Sequence, residues 1–320
     1  MTPEWLTGQM QRLQDALAAG RLPHALLVHE APGAGGEWLA LWAAQLVLCT
    51  GQTRSPCGQC PACAHVARRQ HPDLSVIGPQ DKATQIRIEQ VRELSADLAL
   101  TSHQGGYKTA IISPADSMNR FAANALLKTL EEPPPRTLLV LVAIQPSRLP
   151  ATILSRCQRV RVPAPTRAQA VAWLRATRGE ADWDAVLAAL GEAPMLAAQV
   201  DPAVVIEAAA ETRRDLVQAG AGAGDPVAIA ERWVRGEPRL RLACFETWLT
   251  ERIRESLLNF DQSSEVRSGA HRGAVDRLNI KEWFELLDAV RELKSSFDAP
   301  LNRGVAIEAL LRRMAMTRAA

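Results

Sequence analysis

The sequence predicts an α/β domain built on a parallel sheet, followed by an all-helical region. In residues 1–163, short apolar runs alternate with helical patterns, as in a sheet whose strands are joined by crossover helices. Residues 137–143 (TLLVLVA) are apolar throughout, which is typical of a strand buried on both faces. After Pro163-Ala164-Pro165 no segment has the pattern of a strand. The fold class is therefore α/β plus all-α.

Five strands and four helices are expected in the α/β region. Apolar runs bounded by turn residues predict strands at residues 24–28, 74–77, 109–112 and 137–143, and residues 159–162 are expected to form a fifth strand. Apolar periodicity predicts helices at residues 38–48, 86–98, 119–130 and 149–155. The alternation of the two kinds of element implies helices on both faces of the sheet.

Two helical domains are expected in the rest of the chain. Residues 164–203 predict a small domain of three helices, at 166–176, 182–190 and 194–200. Residues 204–320 predict a larger helical domain. Its interruptions are a glycine-rich segment at 220–224, Gly236-Glu237-Pro238, and a polar stretch at 261–272.

The composition is that of a soluble globular chain. Its 320 residues are 47% apolar and 22% charged, and 37 basic against 35 acidic residues leave a net charge of +2. This balance does not predict a general nucleic-acid-binding surface. Apolar runs fall short of the ~18 residues of a membrane span, and Glu4, Arg12 and Asp15 make a signal peptide unexpected. We expect a cytoplasmic protein without a membrane partner.

The turn after the first strand lies where a phosphate-binding loop would be expected. Such a loop has the pattern G-x-x-x-x-G-K-[ST], in which the lysine reaches the phosphates and the hydroxyl holds Mg²⁺. Gly33 and Gly35 are present, but Glu30 replaces the first glycine, Gly36 the lysine and Glu37 the hydroxyl residue. A carboxylate beside a triphosphate is repulsive. The turn predicts a degenerate phosphate loop; its alternative is a strand-to-helix turn that needs glycine for its backbone angles.

The end of the third strand lacks the acidic pair of a nucleotide hydrolase. Ser113 and Pro114 stand where Asp-Glu would hold Mg²⁺ and orient water. Asp116 lies further along, where we expect a helix N-cap or a turn. We therefore expect neither ATP binding nor ATPase activity.

Four clustered cysteines predict a structural zinc site. Cys49, Cys57, Cys60 and Cys63 have the spacing C-x7-C-x2-C-x2-C, and Gly58 permits the tight turn between two of them. Four thiolates in a reducing compartment match a closed tetrahedral zinc site.

Two variants of this metal site remain open. One alternative is an iron–sulfur cluster. A cluster of the ferredoxin type would, however, have a further cysteine and a proline where Ala67 and Arg68 stand. Alternatively, His65 or His71 replaces one thiolate. The run of residues 57–63 has no apolar face to fold around, so we expect metal to organise it.

Two further segments complete a pattern that resembles a known family. Residues 124–134 (NALLKTLEEPP) close a helix, and Ser155-Arg156-Cys157 follows the fourth strand and a short helix. With the glycine turn and the cysteine quartet, in this order, they resemble the clamp-loader branch of the AAA+ superfamily. A cysteine module between the first helix and the second strand is specific to the bacterial loaders. The motifs cover residues 20–165, and beyond them the resemblance is architectural.

The resemblance implies an architecture and a set of partners. The architecture is an AAA+ (RecA-like) domain at 1–163 with a zinc module at 49–63, a three-helix lid at 164–203 and a helical collar for oligomerisation at 204–320. The partners are motor (γ/τ) and δ subunits in a five-subunit ring, which opens a sliding clamp and places it on primed DNA. In such rings an arginine from one subunit completes the ATP site of the next, and the resemblance assigns that role in trans to Arg156.

The resemblance favours a non-hydrolysing subunit over a motor. Motor subunits carry Gly-Lys-Thr, Asp-Glu and a lid arginine, and Pro194 stands at the arginine position. Two alternatives are an active AAA+ ATPase with an unconventional site and a zinc-dependent nucleic-acid binder without ring partners. Nucleotide titration tests the first, and salt-dependent DNA binding by the isolated chain tests the second.

Overall fold

The computed structural model of the chain describes residues 1–51, 56–80, 83–263, 280–297 and 302–316. The chain divides into two compact units, Met1–Thr177 and Arg178–Ala320. The first contains a parallel sheet, and the second is helical over the part that is described. The polar stretch expected at 261–272 lies outside the described residues from 264 onward.

The sheet of the first unit has five strands, as the sequence predicts. They are β1 (Ala25–His29), β2 (Leu74–Ile77), β3 (Lys108–Ile112), β4 (Thr137–Ala143) and β5 (Gln158–Arg161). The strand order is β2-β3-β4-β1-β5, and all neighbouring strands are parallel. β4 is buried along its whole length between β3 and β1, which accounts for its uninterrupted apolar sequence.

Seven helices of the first unit surround or follow this sheet in the described ranges. They are α1 (Thr7–Ala18), α2 (Gly36–Leu48), α3 (Pro61–Ala67), α4 (Ile88–Leu98), α5 (Arg120–Glu131), α6 (Ala151–Leu154) and α7 (Arg167–Arg178). α1 and α3 are additions to the prediction: α1 buries only Leu13, and α3 is too short to show a period. α6 is shorter than expected and begins directly after Pro150, whose ring cannot continue a helix towards the N-terminus.

The described part of the second unit consists of helices, several of which begin with a capping residue or a proline. They are α8 (Trp183–Ala189), α9 (Pro194–Ala197), α10 (Pro202–Gly220), α11 (Pro226–Arg235), α12 (Pro238–Ser263), α13 (Ile280–Ser295) and α14 (Arg303–Met316). The side chains of Asp201 and Asp225 cap α10 and α11, each just before a proline at the first helical position. The core includes Trp233 and Phe245, whose ring centroids lie 6.0 Å apart.

The three-part domain division stays a prediction. α7, the first helix of the predicted lid, lies in the first unit, where the Trp173 ring meets Trp5 at a centroid distance of 5.7 Å. α8 and α9 lie in the second unit. Across the described ranges, none of the helices combines the length and apolarity that a bilayer crossing requires.

Candidate functional site

The candidate site lies at the carboxyl edge of the sheet, where parallel α/β folds place their ligands. β1 leads to Glu30 and the glycine turn, β3 to Ser113, and β4 to the loop that contains Gln145. Asp116 Oδ2 accepts a hydrogen bond from the backbone N–H of Gln145 at 2.7 Å. Asp116 thus joins the loops after β3 and β4, whereas Asn119 is the residue that caps α5. Asp116 was expected at a helix N-cap or in a turn; it lies instead inside a single turn of 3-10 helix, Ala115–Ser117, whose N-cap residue is Pro114.

The carboxylate of Glu30 fills the glycine turn. Its Oε2 accepts hydrogen bonds from the backbone N–H groups of Gly35, at 2.8 Å, and Gly36, at 2.7 Å. The side chain is buried, and this burial raises the pKa of Glu30 although the backbone donors act in the opposite direction. Since α2 begins at Gly36, the carboxylate occupies a helix N-terminus of the kind that binds phosphate in nucleotide-binding loops.

The backbone of the turn is fitted to this carboxylate. A Cβ atom at Gly36 would lie 2.6 Å from Glu30 Oε1 and 3.0 Å from Val142 Cγ1, so a side chain there would require displacement. Gly35 has a φ of 110°, a conformation that favours glycine. The glycines that remain from the expected loop are thus explained by close packing and backbone conformation.

Two further contacts involve the flanks of the turn. The indole Nε1 of Trp5 donates a hydrogen bond to the carbonyl oxygen of Ala34 at 2.8 Å. Glu37, at the position of the hydroxyl residue, forms an ion pair with Arg69. Both acidic residues that replace loop residues therefore have partners within the chain.

The four cysteines converge on one point. Their sulfur atoms all lie within 4.8 Å of one another. Zinc–thiolate bonds of about 2.3 Å in a tetrahedron place sulfurs about 3.8 Å apart, and Sγ of Cys49 and Sγ of Cys60 are 3.9 Å apart. Within the described residues, these thiols are the group of side chains that could hold a metal ion such as zinc. Neither His65 nor His71 belongs to it.

The helices α2 and α3 position this quartet. Cys49 follows α2 directly, and the Cys60 sulfur accepts the backbone N–H of Cys63 at 3.4 Å at the start of α3. Gln45 of α2 donates to the carbonyl oxygen of Cys63 at 3.0 Å. Cys63 and Val66 are buried in α3. Ala62 is buried there as well, so the end of the run 57–63 does have a buried face, and that metal organises the run stays a prediction.

The local hydrogen bonds favour thiolate at part of this cluster. Backbone N–H groups of Gln59 and Cys60 lower the pKa of Cys57. Burial raises the pKa of Cys60, but donors from Cys63 and Thr50 outweigh it and bring the value to about 5. Burial raises the pKa of Cys63 to about 12. A bound metal would deprotonate all of the thiols, because thiolate is the ligand.

Arg156 has a defined position at the surface of the first unit. Its Nη2 lies 2.6 Å from Glu131 Oε1. Its Nη1 donates to the carbonyl oxygen of Thr152 at 3.0 Å and to Ser155 Oγ at 3.3 Å. The side chain is 35% exposed. The next residue, Cys157, is buried in the core, and this burial raises its pKa to about 11.

The chain is similar in sequence to subunits of DNA polymerase III. The model of a family described as "DNA polymerase III, delta subunit" matches residues 6–166. Subunit delta′ of DNA polymerase III from Pseudomonas aeruginosa is 33% identical over 303 residues, which cover 90% of each chain. The Escherichia coli delta′ subunit is 36% identical over 187 residues, 58% of this chain and 56% of that protein.

More distant similarity extends to a second class of subunit. The Escherichia coli tau subunit is 35% identical over 153 residues, which are 48% of this chain and 23% of that protein. The crystal structure of a DNA polymerase III gamma subunit-related protein from Thermotoga maritima matches with a TM-score of 0.52 at 17% identity. That match covers 97% of this chain and 99% of the other. At this identity the match establishes a common fold.

Proposed function

Because the chain belongs to the delta′ subunits of the DNA polymerase III clamp loader, we propose that it neither binds nor hydrolyses ATP and supplies Arg156 in trans to a neighbouring ATP site. The observation that carries this proposal is the carboxylate of Glu30, which accepts the N–H groups of Gly35 and Gly36. These are the groups that would hold a phosphate in a working loop.

Three features oppose nucleotide binding at the glycine turn. A triphosphate would have to displace a buried carboxylate from its backbone donors, and two negative groups at one helix end repel each other. Gly36 brings no lysine charge to offset this repulsion. Ser113 and Pro114 bring no carboxylate for Mg²⁺ or for the attacking water.

The proposed target of Arg156 therefore lies on another subunit. Its guanidinium is permanently charged and presents a planar set of donors that suits phosphate oxygens. The partly exposed side chain leaves an approach from outside the chain. The buried Cys157 next to it fixes the backbone, so the arginine is held in place before a partner arrives.

The remaining assignments rest on family membership and on the cysteine cluster. We propose γ/τ motor subunits and δ as partners in a five-subunit ring that loads the sliding clamp onto primed DNA in the cytoplasm. Residues 204–320 would form the collar of this ring, and residues 164–203 the lid. The four clustered cysteines would hold one structural zinc ion.

Reconstitution tests the proposal. The chain should co-purify with motor and δ subunits of the same organism, and the native mass should correspond to a five-subunit complex. A calorimetric titration of the isolated chain with millimolar ATP should give no saturable heat. Saturable binding with hydrolysis would instead identify an active motor. DNA binding by the isolated chain, without recovery of a complex, would identify a zinc-dependent nucleic-acid binder.

A further inference from the structure

The ion pair between Arg156 and Glu131 joins two elements that share one core. Glu131 is the last residue of α5, and Arg156 follows α6. Leu130, Ile153 and Cys157, next to these residues, are buried in the same hydrophobic cluster. The backbones that carry the two charges are therefore both anchored, and the pair does not depend on flexible segments.

The stability of α5 does not explain a carboxylate at this position. The C-terminal end of a helix carries partial negative charge, which disfavours an acidic side chain there and favours a basic one. The positive charge of Lys128, in the last turn, is favourable at this end of the helix, whereas the negative charge of Glu131 is unfavourable. The counter-charge for Glu131 comes from Arg156, with 2.6 Å between Oε1 and Nη2.

The contacts of Arg156 leave donors available for a ligand. A guanidinium has five N–H donors. Three acceptor atoms contact it: Glu131 Oε1, the Thr152 carbonyl oxygen and Ser155 Oγ. They involve Nη1 and Nη2, so two of the five N–H groups have no acceptor among the described residues. The guanidinium is thus restrained by its contacts within the first unit and keeps donors for a phosphate.

We propose that Glu131 is a positioning residue, which holds the Arg156 guanidinium in the orientation that meets the terminal phosphate of a nucleotide on the neighbouring subunit. This inference rests on the proposed trans role of Arg156. Without the carboxylate the arginine keeps its charge but explores more orientations. The transition state at the neighbouring site is then stabilised less, whereas ATP binding, which depends on the neighbour's own loop, does not change.

The test compares the wild-type loader with five variant complexes, all of which contain the full chain. The variants are Glu131→Gln, Glu131→Asp, the matched control Glu132→Gln, Arg156→Ala, and the double substitution Glu131→Gln with Arg156→Ala. Glu132 is the adjacent exposed residue and has no ion pair to any described residue. ATPase rates with clamp and primed DNA are measured over a range of ATP concentrations, which separates kcat from KM.

Glu131→Gln should lower kcat without changing KM for ATP. The decrease in kcat should be at least about half of the decrease that Arg156→Ala causes. Glu132→Gln should behave as wild type. The double variant should be no slower than Arg156→Ala alone, because Glu131 acts only through the arginine. Glu131→Asp, which keeps the charge on a shorter side chain, should recover part of the kcat that Glu131→Gln loses.

Several outcomes would overturn the inference. The Glu131→Gln complex could have the kcat of wild type while the Arg156→Ala complex is slow. That result would rule out a positioning role for Glu131 and would leave the trans role of Arg156 intact. A double variant slower than Arg156→Ala, or a change in KM alone, would show that Glu131 acts independently. Failure of Glu131→Gln to assemble would also contradict it, since a half-exposed positioning residue should leave the complex intact. Wild-type rates for Arg156→Ala would refute the proposed function itself.

Discussion

The carboxylate of Glu30 accepts a hydrogen bond from the backbone N–H of Gly36 at 2.7 Å, so an acidic side chain of the chain itself occupies a cradle suited to phosphate. The same contact accounts for the absence of a side chain at residue 36, where a Cβ atom would lie 2.6 Å from Glu30 Oε1. Glu30 and Gly36, which both depart from the phosphate-loop pattern, are thus explained by a single contact.

Gly36→Ala should destabilise the protein. The added Cβ meets both Glu30 and Val142, which lies 3.0 Å away at Cγ1, and such overpacking costs about 1–3 kcal/mol of the free energy of unfolding. Urea denaturation measures the change. Gly8→Ala in α1 is the matched control, because no other atom lies within 4 Å of its Cβ position. That control should be neutral or raise the free energy of unfolding by up to about 1 kcal/mol. Equal stability of the two variants would contradict this account of Gly36.

Glu30→Gln should change how stability depends on pH. Burial raises the pKa of Glu30 above its ordinary value of 4.5, so the folded state binds this proton more tightly than the unfolded state. The stability contributed by the proton is fully present below pH 4.5 and is lost as the pH rises through the folded pKa. Glutamine keeps an acceptor for the two N–H groups without titrating. Urea denaturation from pH 4 upward should therefore show that the stability of wild type relative to Glu30→Gln falls as the pH rises. A constant difference would argue against a raised pKa.

Gly36→Lys alone should not produce an ATPase. The lysine would supply the missing charge, but the Glu30 carboxylate remains among the backbone donors, and Ser113 and Pro114 still provide no metal-binding carboxylate. Calorimetry and phosphate release at millimolar ATP measure binding and hydrolysis. Turnover by this single variant would mean that the other parts of the site are dispensable.

Purified protein should contain one zinc ion per chain without added metal. Cys57→Ser should lose most of it, because one of four thiolate ligands is removed. Cys157→Ala and Cys244→Ala are controls and should keep the full zinc content, because these buried cysteines lie outside the cluster. Elemental analysis gives the stoichiometry. Iron with visible absorbance, or a metal-free wild type, would exclude a structural zinc site.

Arg156→Ala should leave the chain folded, zinc-loaded and able to join the loader, but should slow ATPase and clamp loading. Arginine fingers are worth about 10³–10⁵ in rate at their own site in GTPases. The total turnover should fall less, because one of several ATP sites loses its arginine. Arg156→Lys should recover little, since an ammonium does not reproduce the planar donor set. Steady-state ATPase and a clamp-loading assay on reconstituted complexes measure both effects.

The strands were predictable because their signal is local. An uninterrupted apolar run such as residues 137–143 identifies a buried strand wherever it lies in the sheet, and β1 to β5 fall within one residue of their predicted bounds. α1 and α3 were missed for the opposite reason. α1 buries one residue, and α3 is only seven residues long, so neither has an apolar period that a sequence can show.

The chemical groups that the site possesses follow directly from the order of the residues. Lysine is absent at residue 36, the acidic pair is absent after β3, and four thiols have the spacing of a metal site; these facts hold in any fold. The positions of the remaining charges, in contrast, depend on how distant segments pack together. The Glu30 carboxylate turns into the loop because β1 and α2 bring the N–H groups of Gly35 and Gly36 to it. Arg156 meets Glu131, far away in sequence, because α5 and α6 pack into one core, and such non-local packing leaves no local pattern.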